Sequence, residues 1–379
     1  MLPLSFSARN LSRSWIRTLQ ISGGTCLAAL LLMAAAAFEL GMRRTLSDQA
    51  DPANVIILGK GSEESIQRSE IPVRTAAILS SSVKGLKSSL GQIHVSPQIL
   101  YNGYLDCAGR KDETSIRGVD SAAPRVHKDF QLLSGNWPAP GQLMVGRHAA
   151  TQMGLSPSAL IEGTKVVIDN QTFTISGTFA VPGSLLEAEV WMNLHELLQL
   201  TKRDTLSCVV ATLDGAEFGD LEAFAASRLD LEVAVVREKD YYARLSGFYA
   251  PIRAMVWLCS ALVAFGAIFG GFNTLFTAFS GRKRELAALQ AIGFPRWQLA
   301  LSLLQESLLA CLLGAAVALF VAIYALDGLQ ASFAGGVFTL RFGPGVLLLG
   351  LASSVLLAVI GLIAPVWVTL RPSLVDSLR

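Results

Sequence analysis

Charged residues are scarce in this chain of 379 residues. Lys, Arg, Asp and Glu make up 16% of the sequence, whereas an ordinary soluble protein carries about 25%. The shortage is local, because charge is nearly absent from four stretches and normal between the first two. The mean hydropathy of +0.47 agrees with this pattern. The composition therefore argues against a soluble globular protein and indicates an integral membrane protein.

The motifs of several enzyme classes are also missing. No G-x-x-x-x-G-K-[ST] phosphate-binding loop occurs, so this chain is not expected to bind ATP in that way. No G-x-S-x-G nucleophile motif occurs either. The four histidines show no metal-ligand spacing, and they are His94, His127, His148 and His195. We therefore predict no catalytic residue, no metal site and no cofactor held by this chain.

Four long apolar runs dominate the rest of the sequence. A helix that crosses a bilayer needs about 20 mostly apolar residues. Three runs are free of charge, and the fourth is interrupted only by Glu306; they are Thr18–Phe38, Ala254–Gly281, Phe342–Leu370 and Trp297–Leu326. The first run is longer than a typical signal-peptide core, so we expect a retained helix rather than a cleaved leader. We predict transmembrane helices at 18–42, 251–280, 296–326 and 343–368.

The predicted fold is an α-helical membrane protein with four transmembrane helices and an α+β extracytoplasmic domain, 43–250, inserted between helices 1 and 2. Within the domain, Lys165–Ile168 and Thr172–Ile175 are strand-like runs, and the polar Asp169-Asn170-Gln171 between them predicts a hairpin. Glu70–Leu90 has helical character. The remaining segments are an amphipathic cytoplasmic lead-in at 1–17, an amphipathic loop at 281–295, a short outer loop at 327–342 and a cytoplasmic tail at 369–379.

Basic residues determine the predicted orientation, because Lys and Arg concentrate in the cytoplasmic loops of membrane proteins. They precede the first span, lie between the second and third, and follow the fourth. Segment 45–250 has a net charge of −6, and the rest of the chain has +8. Arg43 and Arg44 mildly oppose the resulting orientation. We expect both termini in the cytoplasm and the large domain outside.

Two of the five cysteines lie in the outer domain, Cys107 and Cys208. A disulfide between them is possible in an oxidising compartment. Their spacing matches no disulfide signature, so the paired and unpaired states both stay open. The other three cysteines lie in apolar runs, where a thiol behaves as a small hydrophobic group.

The loop between the second and third spans carries the most informative pattern. On a helix, Leu286, Leu289 and Ile292 form one apolar stripe, and Gly293 is suited to end the helix. The charged residues around the stripe are Arg282, Lys283, Arg284 and Glu285. From the residues alone, two interpretations stay open. One is a basic helix anchored on anionic lipid headgroups, and the other is a docking helix for a cytoplasmic partner.

This loop resembles the signature of the FtsX/MacB family of ABC transporter permeases. Members show R-x-R-E-[IL]-x-x-L-[RQ]-A-[IL]-G after span two and E-[AS]-x-[LI] within span three. The matching residues here are Arg282, Arg284, Glu285, Leu286, Leu289, Gln290, Ala291, Ile292 and Gly293, then Glu306, Ser307 and Gly314. Shorter pieces resemble the family's lead-in, outer domain and C-terminal ending: Arg9-Asn10-Leu11, Gly118-Val119-Asp120, Leu133-Ser134-Gly135, Val145-Gly146, Val190-Trp191 and Arg371–Arg379.

The resemblance implies a non-enzymatic permease subunit that couples ATP hydrolysis by a separate cytoplasmic ABC ATPase to export or mechanical work outside the membrane. ATP and Mg would then be bound by the ATPase. The implied location is the bacterial cytoplasmic membrane. Other implied partners are membrane lipid and a second permease copy in a homodimer. A periplasmic adaptor stays open, and no nucleic acid is expected. The implied coupling residues are Arg282, Lys283, Arg284, Glu285, Leu286, Leu289, Ile292 and Gly293.

Several alternatives stay open beside this interpretation. The main one is a membrane-anchored extracytoplasmic sensor or scaffold without transport activity, and another is a membrane enzyme. Glu306 is an intramembrane carboxylate, and three roles stay open for it: a structural polar contact, coupling or gating, and proton transfer. For Gly270 and Gly271 two roles stay open, close approach to another helix and packing within one subunit. The substrate is not identified by the sequence.

Overall fold

The chain forms two compact units in a computed structural model. The structure describes residues 15–45, 50–107, 109–127, 129–280, 288, 290–333 and 336–370. The first unit is Met1–Leu40, Ala250–Leu329 and Leu340–Arg379, and the second is Gly41–Tyr249 and Gln330–Thr339. Most of the predicted lead-in, most of the amphipathic loop and the tail from 371 onward lie outside the described residues.

The first unit contains four helices that are long and apolar enough to cross a membrane. Span 1 is Trp15–Arg43, span 2 is Ala250–Ser280, span 3 is Arg296–Val321 continued by the π-helical turn Ala322–Leu326, and span 4 is Pro344–Leu370. Their most apolar windows have mean hydropathies between 2.0 and 2.7. The prediction of four apolar helices of membrane-spanning length is confirmed.

Small residues let these helices pack closely. A Cβ added at Gly314 in span 3 would collide with the backbone oxygen of Ser22 in span 1. A Cβ at Gly350 in span 4 would collide with the side chain of Met33 in span 1. Close backbone approach of this kind replaces the hydrophobic effect as the source of helix association in lipid.

The second unit is built on a ten-stranded mixed sheet with the order β14-β1-β13-β5-β6-β11-β8-β10-β7, and β9 pairs with β10 and β5. Only the β6–β11 and β8–β10 pairs in it are parallel. The strands are β1 (Asn54–Gly59), β2 (Ile71–Pro72), β3 (Ser88–Ser89), β4 (Gln92–Ile93), β5 (Val95–Cys107), β6 (Arg110–Val119), β7 (Gln131–Gly135), β8 (Gln142–Gly146), β9 (Lys165–Ile168), β10 (Gln171–Ala180), β11 (Val190–Asn193), β12 (Thr205–Leu206), β13 (Cys208–Thr212), β14 (Val233–Arg237), β15 (Gln330–Phe333) and β16 (Gly336–Thr339).

Helices cover both faces of this sheet at β1. Val55 and Ile57 belong to one buried cluster, which also holds residues of the helix Phe218–Ser227. Ile56 and Leu58 belong to another cluster, with Tyr241 of the helix Glu238–Phe248. The continuous apolar run of β1 is what a strand buried on both faces requires. The helices of this unit are α1 (Thr75–Ser82), α2 (Ala123–Val126), α3 (Ala149–Gln152), α4 (Leu194–Thr201), α5 (Phe218–Ser227) and α6 (Glu238–Phe248).

The predicted hairpin around Asp169 is confirmed. β9 and β10 pair antiparallel from Ile168 and Gln171 outward, so the turn has two residues. Asp169 and Asn170 have φ values of +47° and +65°. This left-handed pair is the turn that matches strand twist, and Asn and Asp tolerate it better than most residues.

One local prediction was wrong, and one predicted loop contains regular structure. Only Thr75–Ser82 of the predicted helical stretch Glu70–Leu90 is helical. Pro72 lies in β2 and disfavours a helical conformation at the preceding residue, and Gly85 has a φ of +85°. In the predicted short outer loop, β15 and β16 form an antiparallel hairpin. That hairpin belongs to the second unit and packs near α3.

Cys107 and Cys208 are both free, which resolves the open question of a disulfide. Cys208 lies opposite Gln98 in the β13–β5 register. Cys107 is nine residues farther along β5 than Gln98, which corresponds to about 30 Å along a strand. A disulfide requires Cα atoms within about 7 Å, so the fold keeps these thiols apart.

Candidate functional site

The loop between spans 2 and 3 is described mainly at its C-terminal end. Ile292 donates its backbone N–H to the carbonyl of Ala288 at 3.1 Å, and Gly293 donates to Gln290 at 3.0 Å. Gly293 has a φ of +107°, which residues with a Cβ rarely adopt. Pro295 then immediately precedes the first residue of span 3. A helical turn therefore ends at Gly293.

Ile292 is the coupling candidate that the structure shows most clearly. Its side chain is 77% exposed, so it is free to contact a partner or a membrane surface. The other predicted coupling residues lie outside the described residues, apart from Gly293: Arg282, Lys283, Arg284, Glu285, Leu286 and Leu289.

Glu306 lies inside the packing of the membrane helices and is 7% exposed. The next residue, Ser307, donates to the carbonyl of Ala358 in span 4 at 3.4 Å. One turn along, the carbonyl of Ala310 accepts a hydrogen bond from Ser22 in span 1 at 2.8 Å. Glu306 is thus placed where span 3 packs against spans 1 and 4, rather than on a lipid-facing surface.

A second carboxylate in the membrane helices was missed by the sequence analysis. Glu39 of span 1 accepts a hydrogen bond from the indole Nε1 of Trp257 in span 2, with an N–O distance of 2.6 Å. An indole N–H can only donate, so a carboxylate is a suitable partner. The available signal was a lone acidic residue near the end of an otherwise apolar helix.

Gly270 and Gly271 make no close helix approach within one copy of the chain, and their approach to a second copy stays a prediction. A Cβ built at either residue has no heavy atom within 4 Å. Both residues instead border a cavity of about 360 Å³ that all four spans surround, together with Gly24 and Gly361. The absence of side chains at these positions therefore leaves space between the helices instead of bringing them together.

A buried ion pair lies beside the β6–β11 strand pair. Arg117 on β6 donates two hydrogen bonds to Glu189, with N–O distances of 2.6 and 2.7 Å, and both side chains are 7% exposed. The guanidinium also donates to Gln98 Oε1 at 2.7 Å, and Trp191 Nε1 donates to Glu189 at 3.1 Å. Burial disfavours the charged guanidinium, but the Glu189 carboxylate outweighs burial and raises the pKa of Arg117. Arg117 therefore stays charged, and its hydrogen bonds to Glu189 satisfy the buried pair, as such a pair requires.

Gln98 connects this ion pair to His127. Because its Oε1 accepts from Arg117, its amide Nε2 donates to His127 Nε2, at 2.8 Å. Burial, followed by the charge of Arg117, lowers the pKa of His127 to about 3. The imidazole is therefore neutral at pH 7 and carries its proton on Nδ1. Its ring lies 5.6 Å from that of Trp191.

Glu238, the first residue of α6, is a second buried titratable group. Its Oε2 accepts hydrogen bonds from Asn54 Nδ2 at 2.8 Å and from the backbone N–H of Asp51 at 3.3 Å. Burial raises the pKa of Glu238 to about 7, and these two donors offset part of that effect. Within the described residues, no cluster of three or more His, Cys, Asp or Glu side chains could hold a metal ion.

Two family models match the chain in succession. The model described as the MacB-like periplasmic core domain matches residues 21–225, which is more than half of the sequence. The model described as the FtsX-like permease C-terminal region matches residues 257–374. The chain belongs to the FtsX/MacB family of ABC transporter permeases. This assignment agrees with the resemblance found in the amphipathic loop.

Solved structures resemble about half of this permease at low identity. The periplasmic region of MacB from Actinobacillus actinomycetemcomitans is 11% identical, with a TM-score of 0.41, over 52% of this chain and 94% of that chain. The extracellular domain of the transporter YknZ from Gram-positive bacteria is 13% identical, with a TM-score of 0.38, over 48% of this chain and 97% of that chain. A domain of a permease protein from Porphyromonas gingivalis is 13% identical, with a TM-score of 0.34, over 48% of this chain and 87% of that chain. The assignment rests on the family models, and no curated protein matches the chain.

Three of the four short pieces that resemble the family's outer domain lie on neighbouring strands beside the ion pair of this permease, whereas Leu133-Ser134-Gly135 lies on β7 at the edge of the sheet. β11 begins with Val190-Trp191 and pairs with β6 and β8, which end in Gly118-Val119 and Val145-Gly146. A Cβ at Gly146 would collide with the backbone oxygen of Glu187. Arg117 and Glu189, missed by the sequence analysis, each lie immediately before one of these pieces. The signal that could have identified them was a charged residue beside an apolar strand end, because a buried charge needs a partner.

Proposed function

We propose that this permease subunit couples ATP hydrolysis by a separate ATPase subunit to export or to mechanical work outside the membrane. The match of both family models carries the proposal, because it combines a MacB-like domain with an FtsX-like membrane region in one chain. Segment 281–295 would be the coupling helix, seated on the ATPase, which would also bind ATP and Mg. The exposed Ile292 supports this role, since a docking helix needs an apolar contact outside its own chain.

The proposed location is the bacterial cytoplasmic membrane, with both termini in the cytoplasm and the inserted domain on the outer side. The charge difference between segment 45–250 and the rest of the chain supports this orientation. The basic residues Arg282, Lys283 and Arg284 would then lie at the cytoplasmic surface beside the ATPase.

A second copy of the permease is the proposed partner within the membrane. The most apolar window of span 2 is 6% buried, whereas the windows of the other three spans are each 33% buried. Leu262, Phe265 and Phe269 of span 2 are 61%, 59% and 70% exposed. These side chains supply an apolar surface for a homodimer, and membrane lipid would cover what the second copy leaves exposed.

The coupling helix is tested by co-purification of the full chain with its ATPase from native membranes. We expect Leu289→Asp and Ile292→Asp to reduce the amount of bound ATPase by about tenfold or more, because each places an unpaired carboxylate in an apolar contact. The bound ATPase is measured by mass spectrometry and by Mg-ATP hydrolysis in the purified sample.

The matched control is Leu229→Asp, which makes the same chemical change at a side chain that is 79% exposed in the other unit. This variant should retain the ATPase. If Leu289→Asp and Ile292→Asp also retain it, segment 281–295 is not the coupling helix. If the unmodified chain retains no ATPase in a mild detergent, the sensor or scaffold function is favoured instead.

Glu306 provides a separate test of coupling. We expect Glu306→Gln to leave the ATPase bound but to lower ATP turnover by the complex several-fold, because the buried carboxylate lies where three spans pack. Glu306→Asp, which keeps the charge, should restore part of the turnover. Normal turnover and normal transport in Glu306→Gln would remove this residue from the mechanism.

A further inference from the structure

The second unit contains a cavity of about 480 Å³ beside the β5–β6 hairpin. This volume lies within the range of small-molecule sites, roughly 300–1,000 Å³. β5 and β6 line it through residues such as Asn102 and Ser115, and α6 also lines it. The cavity is distinct from the cavity between the membrane helices, because the two share no lining residue.

The α6 wall is largely aromatic. Tyr241, Tyr242, Leu245, Phe248 and Tyr249 all border the cavity. Burial raises the pKa of Tyr241 and Tyr242 above the ordinary value, so both phenols are neutral at physiological pH. Neutral aromatic rings offer apolar contact and a negative π-face, which attracts cations.

The charges that border the cavity favour a cation. Glu64 and Glu113 lie at its exposed edge, and among the described residues no ion pair involves either carboxylate. Arg117 also borders the cavity, but its charge is already matched by Glu189 in the buried pair. The lining therefore presents two unmatched negative charges and no unmatched positive charge.

The wall formed by β6 adds polar backbone groups. β11 pairs with β6 only from Ile116 onward, whereas β5 pairs with β6 from Arg110 to Gly118. Glu113, Thr114 and Ser115 precede that point, and all three border the cavity. A strand edge without a neighbouring strand presents carbonyl oxygens, which can accept hydrogen bonds from an ammonium group.

We propose that this cavity binds an organic cation with an apolar body, held by the α6 aromatic side chains on one side and by Glu64 and Glu113 at the opening. Its positive charge would replace the missing basic partner of the two carboxylates. The apolar body would pack against Phe248 and its aromatic neighbours. This site extends beyond the proposed coupling function, since binding here requires no ATPase.

Rhodamine 6G, an organic cation with a flat apolar ring system, is the probe for this site. Its fluorescence anisotropy is titrated with the full chain in lipid nanodiscs without ATPase, and the signal of empty nanodiscs is subtracted. We expect saturable binding that weakens about tenfold in the double variant Glu64→Gln/Glu113→Gln, because two exposed charge contacts are lost. Phe248→Ala should weaken binding about fivefold, as expected for loss of one aromatic contact to a cation.

Three controls separate this site from other sources of signal. Glu222→Gln removes an exposed acid that does not border the cavity, and Gly270→Leu narrows the cavity between the membrane helices. Both should bind rhodamine 6G normally, and anionic fluorescein should not bind. The proposal is overturned if the folded unmodified chain shows no saturable binding, if the double variant binds equally well, or if Gly270→Leu loses binding instead. None of these results alters the co-purification test of ATPase coupling.

Discussion

Replacing Arg117 with methionine is expected to lower the free energy of unfolding of the second unit by about 3–5 kcal/mol, since removing one partner leaves a buried charge uncompensated. Glu189 would lose two hydrogen bonds of 2.6 and 2.7 Å in a site where it is almost inaccessible to water. For a domain of this size, the loss corresponds to a fall in melting temperature of roughly 10 °C. Thermal unfolding followed by tryptophan fluorescence measures it, because Trp191 contacts Glu189 directly.

The double variant Arg117→Met/Glu189→Met distinguishes a lost charge pair from lost packing. Replacing both partners with apolar side chains of similar size is often nearly neutral, so this variant should recover most of the lost stability. Arg228→Met is a matched control, because Arg228 pairs with Asp230 at the surface, where one arginine contributes little. A double variant as unstable as Arg117→Met would show that the ion pair itself is not the cause.

Glu238→Gln should stabilise the second unit increasingly as pH rises from about 4.5 to about 7, relative to the unmodified chain. The folded state raises the pKa of Glu238, so the folded protein holds this proton over that interval while the unfolded chain has lost it. Stability from this group is therefore complete below pH 4.5 and is lost as pH rises through 7. At about 1.4 kcal/mol for each pKa unit, the difference between the two proteins should change by roughly 3 kcal/mol.

His127 has the opposite effect on stability. Its folded-state pKa is about 3, below the ordinary value of 6.5, so the unfolded chain takes up a proton first as pH falls. Stability is thus lost as pH drops from 6.5 toward 3, and His127→Gln should become relatively more stable over that interval. Unfolding by guanidinium at a series of pH values tests both variants. A stability difference for Glu238→Gln that does not vary with pH would show that Glu238 is not buried as a protonated acid.

The neighbouring groups do not change the direction of these effects. Asp51 further raises the pKa of Glu238, whereas the charge of Arg117 lowers it. Arg117 also acts on His127, and there it reinforces the effect of burial. The two titrations therefore oppose each other between about pH 4.5 and 6.5, and the unmodified chain should show a weaker pH dependence there than either variant.

Features that depend on neighbouring residues were predictable from the sequence. Spans 1 to 4 follow from apolar length, because an unbroken helix satisfies its own backbone in lipid. The turn at Asp169-Asn170 follows from the tolerance of these residues for positive φ. The helix end at Gly293 has the same kind of local cause, although the coupling role of that segment stays a prediction.

Features that depend on pairing between distant segments were decided by the tertiary structure. Arg117 and Glu189 are separated by 72 positions and meet only because β11 lies beside β6. The β15–β16 hairpin belongs to the second unit although spans 3 and 4 flank it in sequence. The sequence by itself determined four apolar spans and an acidic segment, 45–250, since hydropathy and charge are local properties. The buried ion pair and the aromatic cavity arose only from strand order, because the free energy of a buried charge depends on which partner the fold places beside it.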